Sequence, residues 1–202
     1  DTSVQYVGDL TSLKSLDISY TQVTNNGMEY LAGLRNLEEF SVGGNKVTGA
    51  GLRVLRALPR LTALNLSGGQ KRNSGTWVVT LTDRDMEVVA DLKQLRSLNL
   101  AGMRITDAGV TQLAGLSQLR SLNLGRTQVT AKALDTLVGL SNLEELSLWS
   151  AKKIDDAAAL TLSSMKNLKT LDLAETTIGD AGLANLAAIS GLRKVYLTGS
   201  RV

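Results

Sequence analysis

Pairs of adjacent carboxylates are the residues of this chain whose type and spacing could perform acid–base chemistry. Such pairs stand at Glu38 and Glu39, at Glu144 and Glu145, and at Asp155 and Asp156. Two carboxylates that face each other can divide the roles of general acid and general base. Adjacent side chains of a strand point to opposite faces of the sheet, and those in a turn are usually solvated. The pairs therefore predict solvated surface and not a catalytic site.

The side chains that most enzymes use for catalysis are missing. The 202 residues include no histidine and no cysteine, which removes imidazole bases, thiolate nucleophiles, disulfides and the commonest zinc ligands. The sequence also contains no glycine-rich phosphate loop with its lysine. We therefore predict a protein that is not an enzyme and that uses no metal and no cofactor.

The charge balance favours no particular partner. Lys and Arg number 22 and Asp and Glu number 19, and the two signs are interspersed along most of the chain. Nucleic-acid-binding proteins usually concentrate basic residues in a patch or stripe. No apolar run approaches the roughly 18 residues that a membrane span requires. We expect no nucleic-acid partner and no membrane span.

A single apolar pattern recurs along the chain, and its elements must position any functional residue. The pattern L-x-x-L-x-L has spacings of 24, 24, 34, 24, 24, 25 and 24 residues and begins at Leu13, Leu37, Leu61, Leu95, Leu119, Leu143, Leu168 and Leu192. Its L-x-L part alternates apolar and polar residues, as a strand with one buried face does. Apolar residues then recur at every third position, which places them on one face of a short helix.

Each repeat is therefore predicted to consist of one strand and one short helix. Threonines stand where a helix N-cap would accept a backbone N–H, at Thr24, Thr48, Thr82, Thr106 and Thr130. One strand and one helix cannot bury their apolar faces alone, so each repeat needs neighbours. We expect an α/β solenoid curved like a horseshoe, with a parallel β-sheet on the concave face and short helices on the convex face.

The repeats resemble leucine-rich repeats of the 24-residue kind, for example in LRSLNLGRTQVTAKALDTLVGLSN at residues 119–142. The V/I-T-D-A-G-L segment at 105–110 is similar to bacterial GALA-type repeats. Residues 146–156, LSLWSAKKIDD, are similar to the cysteine-containing repeats of F-box proteins, with Ala151 in place of their cysteine. The polar residue that such repeats place after the strand, to bond the backbone of the turn, stands here at Thr21, Asn45, Thr127 and Thr176.

The outward positions of the strands offer a continuous, rigid surface for binding. The position between the two strand leucines is small and polar in most repeats and includes Asn99 and Asn123. Larger candidate binding residues are Trp149, Arg126, Glu145, Tyr20 and Tyr196. Aromatic and arginine side chains dominate binding hot spots, so we predict that Trp149 is the main anchor. The alternative is that Trp149 folds over the edge of its repeat and covers the one-residue insertion at 150–153.

The third repeat contains an insertion of ten residues, 70–79. Insertions in repeat proteins form loops on one face of the solenoid, often the binding face. We expect Lys71, Arg72 and Trp77 to project beside the concave surface. The alternative is a surface hairpin with Trp77 packed on the neighbouring repeat.

Residues 1–202 are predicted to form a single leucine-rich repeat domain of about eight repeats, and we expect it to be part of a longer array. We predict a module that binds a protein partner on its concave face, as a monomer or an end-to-end dimer. We expect it in the cytoplasm rather than secreted or at the cell surface. One alternative, implied by the resemblance, is the substrate-recruiting part of a ubiquitin ligase or a secreted effector. Another is a carbohydrate-binding surface formed by the polar strand positions and the aromatic residues.

Overall fold

The computed structural model describes residues 1–68 and 81–202. Within them, eight parallel strands form one sheet in chain order: β1 Ser15–Asp17, β2 Glu39–Ser41, β3 Ala63–Asn65, β4 Ser97–Asn99, β5 Ser121–Asn123, β6 Glu145–Ser147, β7 Thr170–Asp172 and β8 Lys194–Tyr196. Equivalent positions of successive repeats are aligned, so that Leu16 pairs with Phe40 and Leu98 with Leu122. This register confirms the predicted repeat pattern.

Short helices alternate with the strands in the described residues: α1 Thr2–Gly8, α2 Asn25–Glu29, α3 Gly49–Leu52, α4 Met86–Ala90, α5 Asp107–Gln112, α6 Ala131–Leu137, α7 Asp156–Leu162 and α8 Asp180–Leu186. Single 3₁₀ turns adjoin some of them, at Tyr30–Gly33, Arg53–Ala57, Asp83–Asp85 and Leu113–Gly115. Neighbouring helices pack on one another, as neighbouring strands do. The predicted α/β solenoid, with its sheet on the concave face and its helices on the convex face, is confirmed.

The leucine columns fill the space between the sheet and the helices. The central residue of strands β2 to β7 is buried, and so are the helix-face residues Leu52, Leu55 and Leu58. Burial of one such leucine stabilises the fold by about 1.5–3 kcal/mol. The first and last strands are less covered, since Leu16 is half-buried and Val195 is 39% exposed. The core is therefore a continuous layer shared by all repeats.

Threonine side chains begin four of the eight described helices, at positions where the sequence predicts a threonine N-cap. The side chains of Thr24, Thr48, Thr106 and Thr130 each accept a hydrogen bond from the backbone N–H two residues later. Thr82 differs, because its N–H and its hydroxyl both donate to the carboxylate of Asp85. These contacts satisfy N–H groups that have no partner inside the helix.

The polar residues after the strands bond the backbone of the turn, as the resemblance implies. The hydroxyls of Thr21, Thr127 and Thr176 donate to the carbonyls three residues earlier, at 2.8, 2.6 and 2.7 Å. Asn45 is fully buried and contacts two repeats, since its Nδ2 donates to the carbonyls of both Ile18 and Val42. Buried polar atoms in these turns are thus paired with the backbone.

Candidate binding surface

The third residue of most strands uses its side-chain oxygen to fix the turn that follows. The Oδ1 atom accepts a hydrogen bond from the backbone N–H two residues later in Asp17, Asn65, Asn99, Asn123 and Asp172. This bond also sets the orientation of each amide group, because it assigns the oxygen to the backbone side. Among the described residues, none accepts a hydrogen bond from the Nδ2 of Asn99 or Asn123. Their amide donors are therefore available on the half-buried concave face.

The turns after β1, β2 and β4 to β8 each contain a residue in the left-handed backbone region, where glycine is favoured. Three repeats place glycine there, Gly44, Gly102 and Gly199, with φ between +72° and +77°. Four repeats instead place Tyr20, Arg126, Ser150 and Glu175 there, with φ of +55° or +56°. A side chain in this region costs roughly 1 kcal/mol or more relative to the right-handed region. We call this position of the turns the left-handed column. Four of its residues carry a side chain, and each of these side chains lowers the stability of the fold.

Trp149 lies beside two of these residues, between its own repeat and the preceding one. Its side chain is half-buried, and a Cβ placed on Gly125 would lie 3.4 Å from Trp149 Cε3. The guanidinium carbon of Arg126 stands 5.6 Å from the centroid of the Trp149 ring, within the range of a cation–π contact. Trp149 therefore packs on the preceding repeat and keeps part of its ring accessible.

Glu175 faces Trp149 from the following repeat. Its carboxyl has a pKa below the ordinary value because Ser150 donates a hydrogen bond to it, and Lys152 and Trp149 act in the same direction. Lys152 Nζ also donates to the Glu175 carbonyl at 2.7 Å. The carboxylate of Glu175 is thus charged at neutral pH and engaged by its own neighbours. Arg126, in contrast, is exposed and forms no ion pair with any described carboxylate.

The other predicted binding residues lie at different distances from this cluster. Glu145 is exposed next to it on β6 and accepts a hydrogen bond from the Ser121 hydroxyl at 3.1 Å. Tyr20 and Tyr196 are 58% and 51% exposed but lie at opposite ends of the sheet. Lys71, Arg72 and Trp77 lie outside the described residues. The structure therefore brings together Trp149, Arg126, Glu145, Asn123 and Asn99 on β4 to β6 and separates the tyrosines from them.

Sequence analysis did not select Ser150, Lys152 or Glu175, although all three contact the Trp149 region. A signal was present in the sequence, because Ser150 and Glu175 occupy the position that is glycine in other repeats, for example at Gly44 and Gly102. A non-glycine residue at a left-handed position indicates a side chain that is retained although the backbone conformation is unfavourable for it.

Within the part of the chain that the structure describes, no cluster of three acidic residues could hold a metal ion. None of the helices described is long and apolar enough to cross a membrane.

Comparison with known families and structures identifies the class of protein. A family model described as "Leucine rich repeat" matches residues 11–70 and 93–150, and a second model with the same description matches residues 164–187. These matches cover more than half of the chain. The chain belongs to the leucine-rich repeat family, which confirms the predicted fold and the family resemblance.

Solved structures of bacterial proteins are similar to this chain. Internalin C2 from Listeria monocytogenes is 30% identical, with a TM-score of 0.68, over 98% of this chain and 75% of that one. The internalin InlF from the same species is 25% identical, with a TM-score of 0.72, over 95% of this chain and 50% of that one. A leucine-rich repeat protein of Leptospira interrogans shares the fold, at 22% identity and a TM-score of 0.65, over 96% of this chain and 45% of that one.

A comparison with curated proteins found no match. These findings do not confirm the finer resemblance to GALA-type and F-box repeats, which stays a prediction.

Proposed function

We propose that this chain binds a protein partner on its concave face, with Trp149 as the anchor. Leucine-rich repeat folds commonly serve as protein-interaction modules. The observation that carries the proposal is the left-handed column, in which Arg126, Ser150 and Glu175 occupy three consecutive repeats around Trp149. Glycine at the same position of other repeats satisfies the fold at lower cost, so these side chains are retained for their contacts.

Backbone strain of this kind is typical of residues that act on a ligand. Each of the three side chains costs roughly 1 kcal/mol or more in the left-handed region. Their contacts with Trp149 and with one another do not repeat along the solenoid, because the neighbouring repeats contain Gly102 and Gly199 at this position. Three of the four left-handed side chains therefore lie together at one place on the concave surface, and the fourth is Tyr20 in the first repeat.

The environment of Trp149 also suits an anchor. Its ring rests over Gly125 and under the Arg126 guanidinium, while Glu175 lies on its other side. A side chain that is held before binding loses little conformational entropy when a partner covers it. A half-buried tryptophan with a polar rim is accordingly a strong candidate for a hot spot.

The test uses peptides selected from a random display library on the immobilised protein. Each selected peptide is titrated against the wild type, against Trp149→Ala, and against Leu160→Ala, which changes a 65% exposed residue of α7 on the convex side. We expect Trp149→Ala to weaken binding by about 30-fold, which corresponds to roughly 2 kcal/mol. The Leu160→Ala variant should bind as the wild type does. Equal binding to the wild type and to a folded Trp149→Ala variant would contradict the proposal.

Further expectations from the sequence belong to this proposal and stay predictions. They are the absence of catalysis, a cytoplasmic location, the monomeric or end-to-end dimeric state, and membership of a longer array. The insertion at 70–79, with Lys71, Arg72 and Trp77, is predicted to extend the binding surface next to β3 and β4.

A further inference from the structure

We infer that the partner segment on the concave face is acidic and lies across β3 to β5, with a carboxylate on Arg126. This inference rests on the proposed function and adds the chemistry of the partner. We call the outward side chains of β3, β4 and β5, together with Ala101, Gly102, Gly125 and Arg126 in the turns after β4 and β5, the central strip.

The central strip contains no acidic side chain. Its outward strand positions are Ala63, Ser97 and Ser121 in one column and Asn65, Asn99 and Asn123 in the next. The turns after β4 and β5 add the small residues Ala101, Gly102 and Gly125, followed by Arg126. The strip therefore combines one cation with neutral side chains.

Acidic side chains lie on both sides of this strip. Asp17 and Glu39 occupy the outward positions of β1 and β2, while Glu145 and Asp172 occupy those of β6 and β7. Although the two signs of charge are mixed along the sequence, the acidic outward positions of the strands all lie outside β3 to β5. A negatively charged segment is therefore attracted to the middle of the sheet and repelled from its flanks.

Hydrogen-bonding capacity on the strip points to the same ligand. The Oδ1 atoms of the three asparagines are occupied by the N–H groups of Ser67, Ala101 and Gly125. No described residue accepts a hydrogen bond from their Nδ2 groups, which are donors. Arg126 adds a guanidinium that no described carboxylate pairs with, and a guanidinium binds a carboxylate through two parallel hydrogen bonds. A surface with donors and one cation is complementary to carboxylates.

The width of the strip limits the segment to a few residues. Neighbouring strands lie about 4.8 Å apart, so the outer two of three strands are separated by about 10 Å. An extended chain advances about 3.3 Å per residue, so about three residues cross the strip. This length suits two or three acidic side chains of a peptide.

A nucleic acid fits this surface less well. Its backbone carries regularly spaced charges and binds by neutralising many phosphates at once. A strand longer than the strip would meet the carboxylates of Glu39 on one side and Glu145 on the other. The charge pattern therefore favours a short acidic peptide segment.

The experiment selects peptides from three display libraries whose four central positions are restricted to Asp and Glu, to Asn and Gln, or to Lys and Arg, with random flanks. We expect the acidic library to give the enriched binders. We expect Arg126→Glu to weaken their binding by at least tenfold, and Arg126→Lys to weaken it less. Arg53→Glu is the matched control, because Arg53 is exposed in a 3₁₀ turn on the helix side and forms no ion pair with any described residue.

The outcomes separate this inference from the proposed function. Binders without an excess of acidic residues that still depend on Trp149 would overturn the inference and leave the proposed function intact. Binders that depend on neither Trp149 nor Arg126, or the absence of enrichment in all three libraries, would contradict both. Tighter, Arg126-dependent binding of a twenty-residue oligothymidylate would replace the acidic peptide with a nucleic acid.

Discussion

The carboxylate of Asp107 accepts two hydrogen bonds from Thr130, one from its backbone N–H at 2.8 Å and one from its hydroxyl at 2.7 Å. Asp107 is the first residue of α5, and Thr130 is the N-cap of α6. A charged acceptor at these helix N-termini is also favoured by the helix dipole. The pair therefore joins the beginnings of two helices in adjacent repeats.

Replacing Asp107 should show what this link contributes. We expect Asp107→Ala to lower the free energy of unfolding by about 2 kcal/mol, because a charged hydrogen-bond acceptor is lost. Asp107→Asn should change it by less than about 0.5 kcal/mol. In this chain Asn25 already makes the equivalent link, since its Oδ1 accepts from the Thr48 N–H at 2.9 Å and its Nδ2 donates to the Thr48 hydroxyl at 3.0 Å. Urea denaturation measures both variants.

The matched control for Asp107 is Asp180, which is the first residue of α8. No described residue donates a hydrogen bond to its carboxylate. Asp180→Ala should therefore remove only the dipole effect, which is worth less than about 1 kcal/mol. Equal losses for the alanine variants at both positions would mean that the helix dipole, and not the bond to Thr130, accounts for the stabilisation.

Asn45 should be the most sensitive of the polar turn residues. Its Oδ1 accepts a hydrogen bond from the Val23 N–H at 3.2 Å and shares the single hydroxyl hydrogen of Thr21 with the Ile18 carbonyl, in addition to the two hydrogen bonds that its Nδ2 donates. Asn45→Ala leaves several buried groups without partners, and we expect a loss of about 3 kcal/mol in the free energy of unfolding. Thr127→Ala removes one hydroxyl bond and should cost about 1 kcal/mol. Similar losses for the two variants in urea would show that water replaces the bonds of Asn45.

The fold could be predicted from the sequence because the same apolar pattern recurs in every repeat. The apolar pattern that begins at Leu13 and again at Leu37 fixes the strand register, and threonines such as Thr106 mark the helix starts. A pattern that recurs at a constant spacing needs no knowledge of distant contacts, since each repeat contacts only its neighbours.

The binding surface could be predicted only in part, because it depends on where the repeats differ. The half-burial of Trp149 depends on the absence of a side chain at Gly125 and on the position of Arg126 in the next turn. The sequence places these residues in neighbouring repeats but does not give the orientation of the Trp149 ring. The left-handed backbone at Ser150 and Glu175 is likewise a property of the turn, visible once φ is known.

The left-handed backbone at Arg126 predicts that glycine at this position would raise the stability of the fold and weaken binding. Glycine is the residue that this backbone region favours, so Arg126→Gly should raise the free energy of unfolding by about 1 kcal/mol while it abolishes the binding assigned to the guanidinium. Gly102 has φ of +77° at the same position of the preceding repeat. Gly102→Ala should lower the free energy of unfolding by about 1 kcal/mol. A fall in stability for Arg126→Gly in urea denaturation would mean that Arg126 is retained for folding and not for a partner.

Glu144 should make the stability of the solenoid depend on pH. Its carboxylate accepts hydrogen bonds from Lys169 Nζ at 2.8 Å and from Arg120 Nη1 at 2.9 Å, across three adjacent repeats. The hydrogen bond from Lys169 is the main reason why the pKa of Glu144 lies below its ordinary value of 4.5, and the charges of Lys169 and Arg120 act in the same direction.

Because this pKa is lower in the folded state, the stabilisation by Glu144 is complete above the ordinary value of 4.5 and is lost as pH falls through the folded value. We expect Glu144→Gln to melt below the wild type at pH 7, and the difference in melting temperature to vanish once the pH is low enough to protonate Glu144 in the folded protein. Glu145→Gln is the control, because Glu145 accepts only the bond from Ser121 among the described residues and lies in no ion pair with them. A melting difference for Glu144→Gln that persists unchanged as the pH falls would show that the effect comes from the shape of the side chain, since a protonated glutamate and a glutamine are both uncharged.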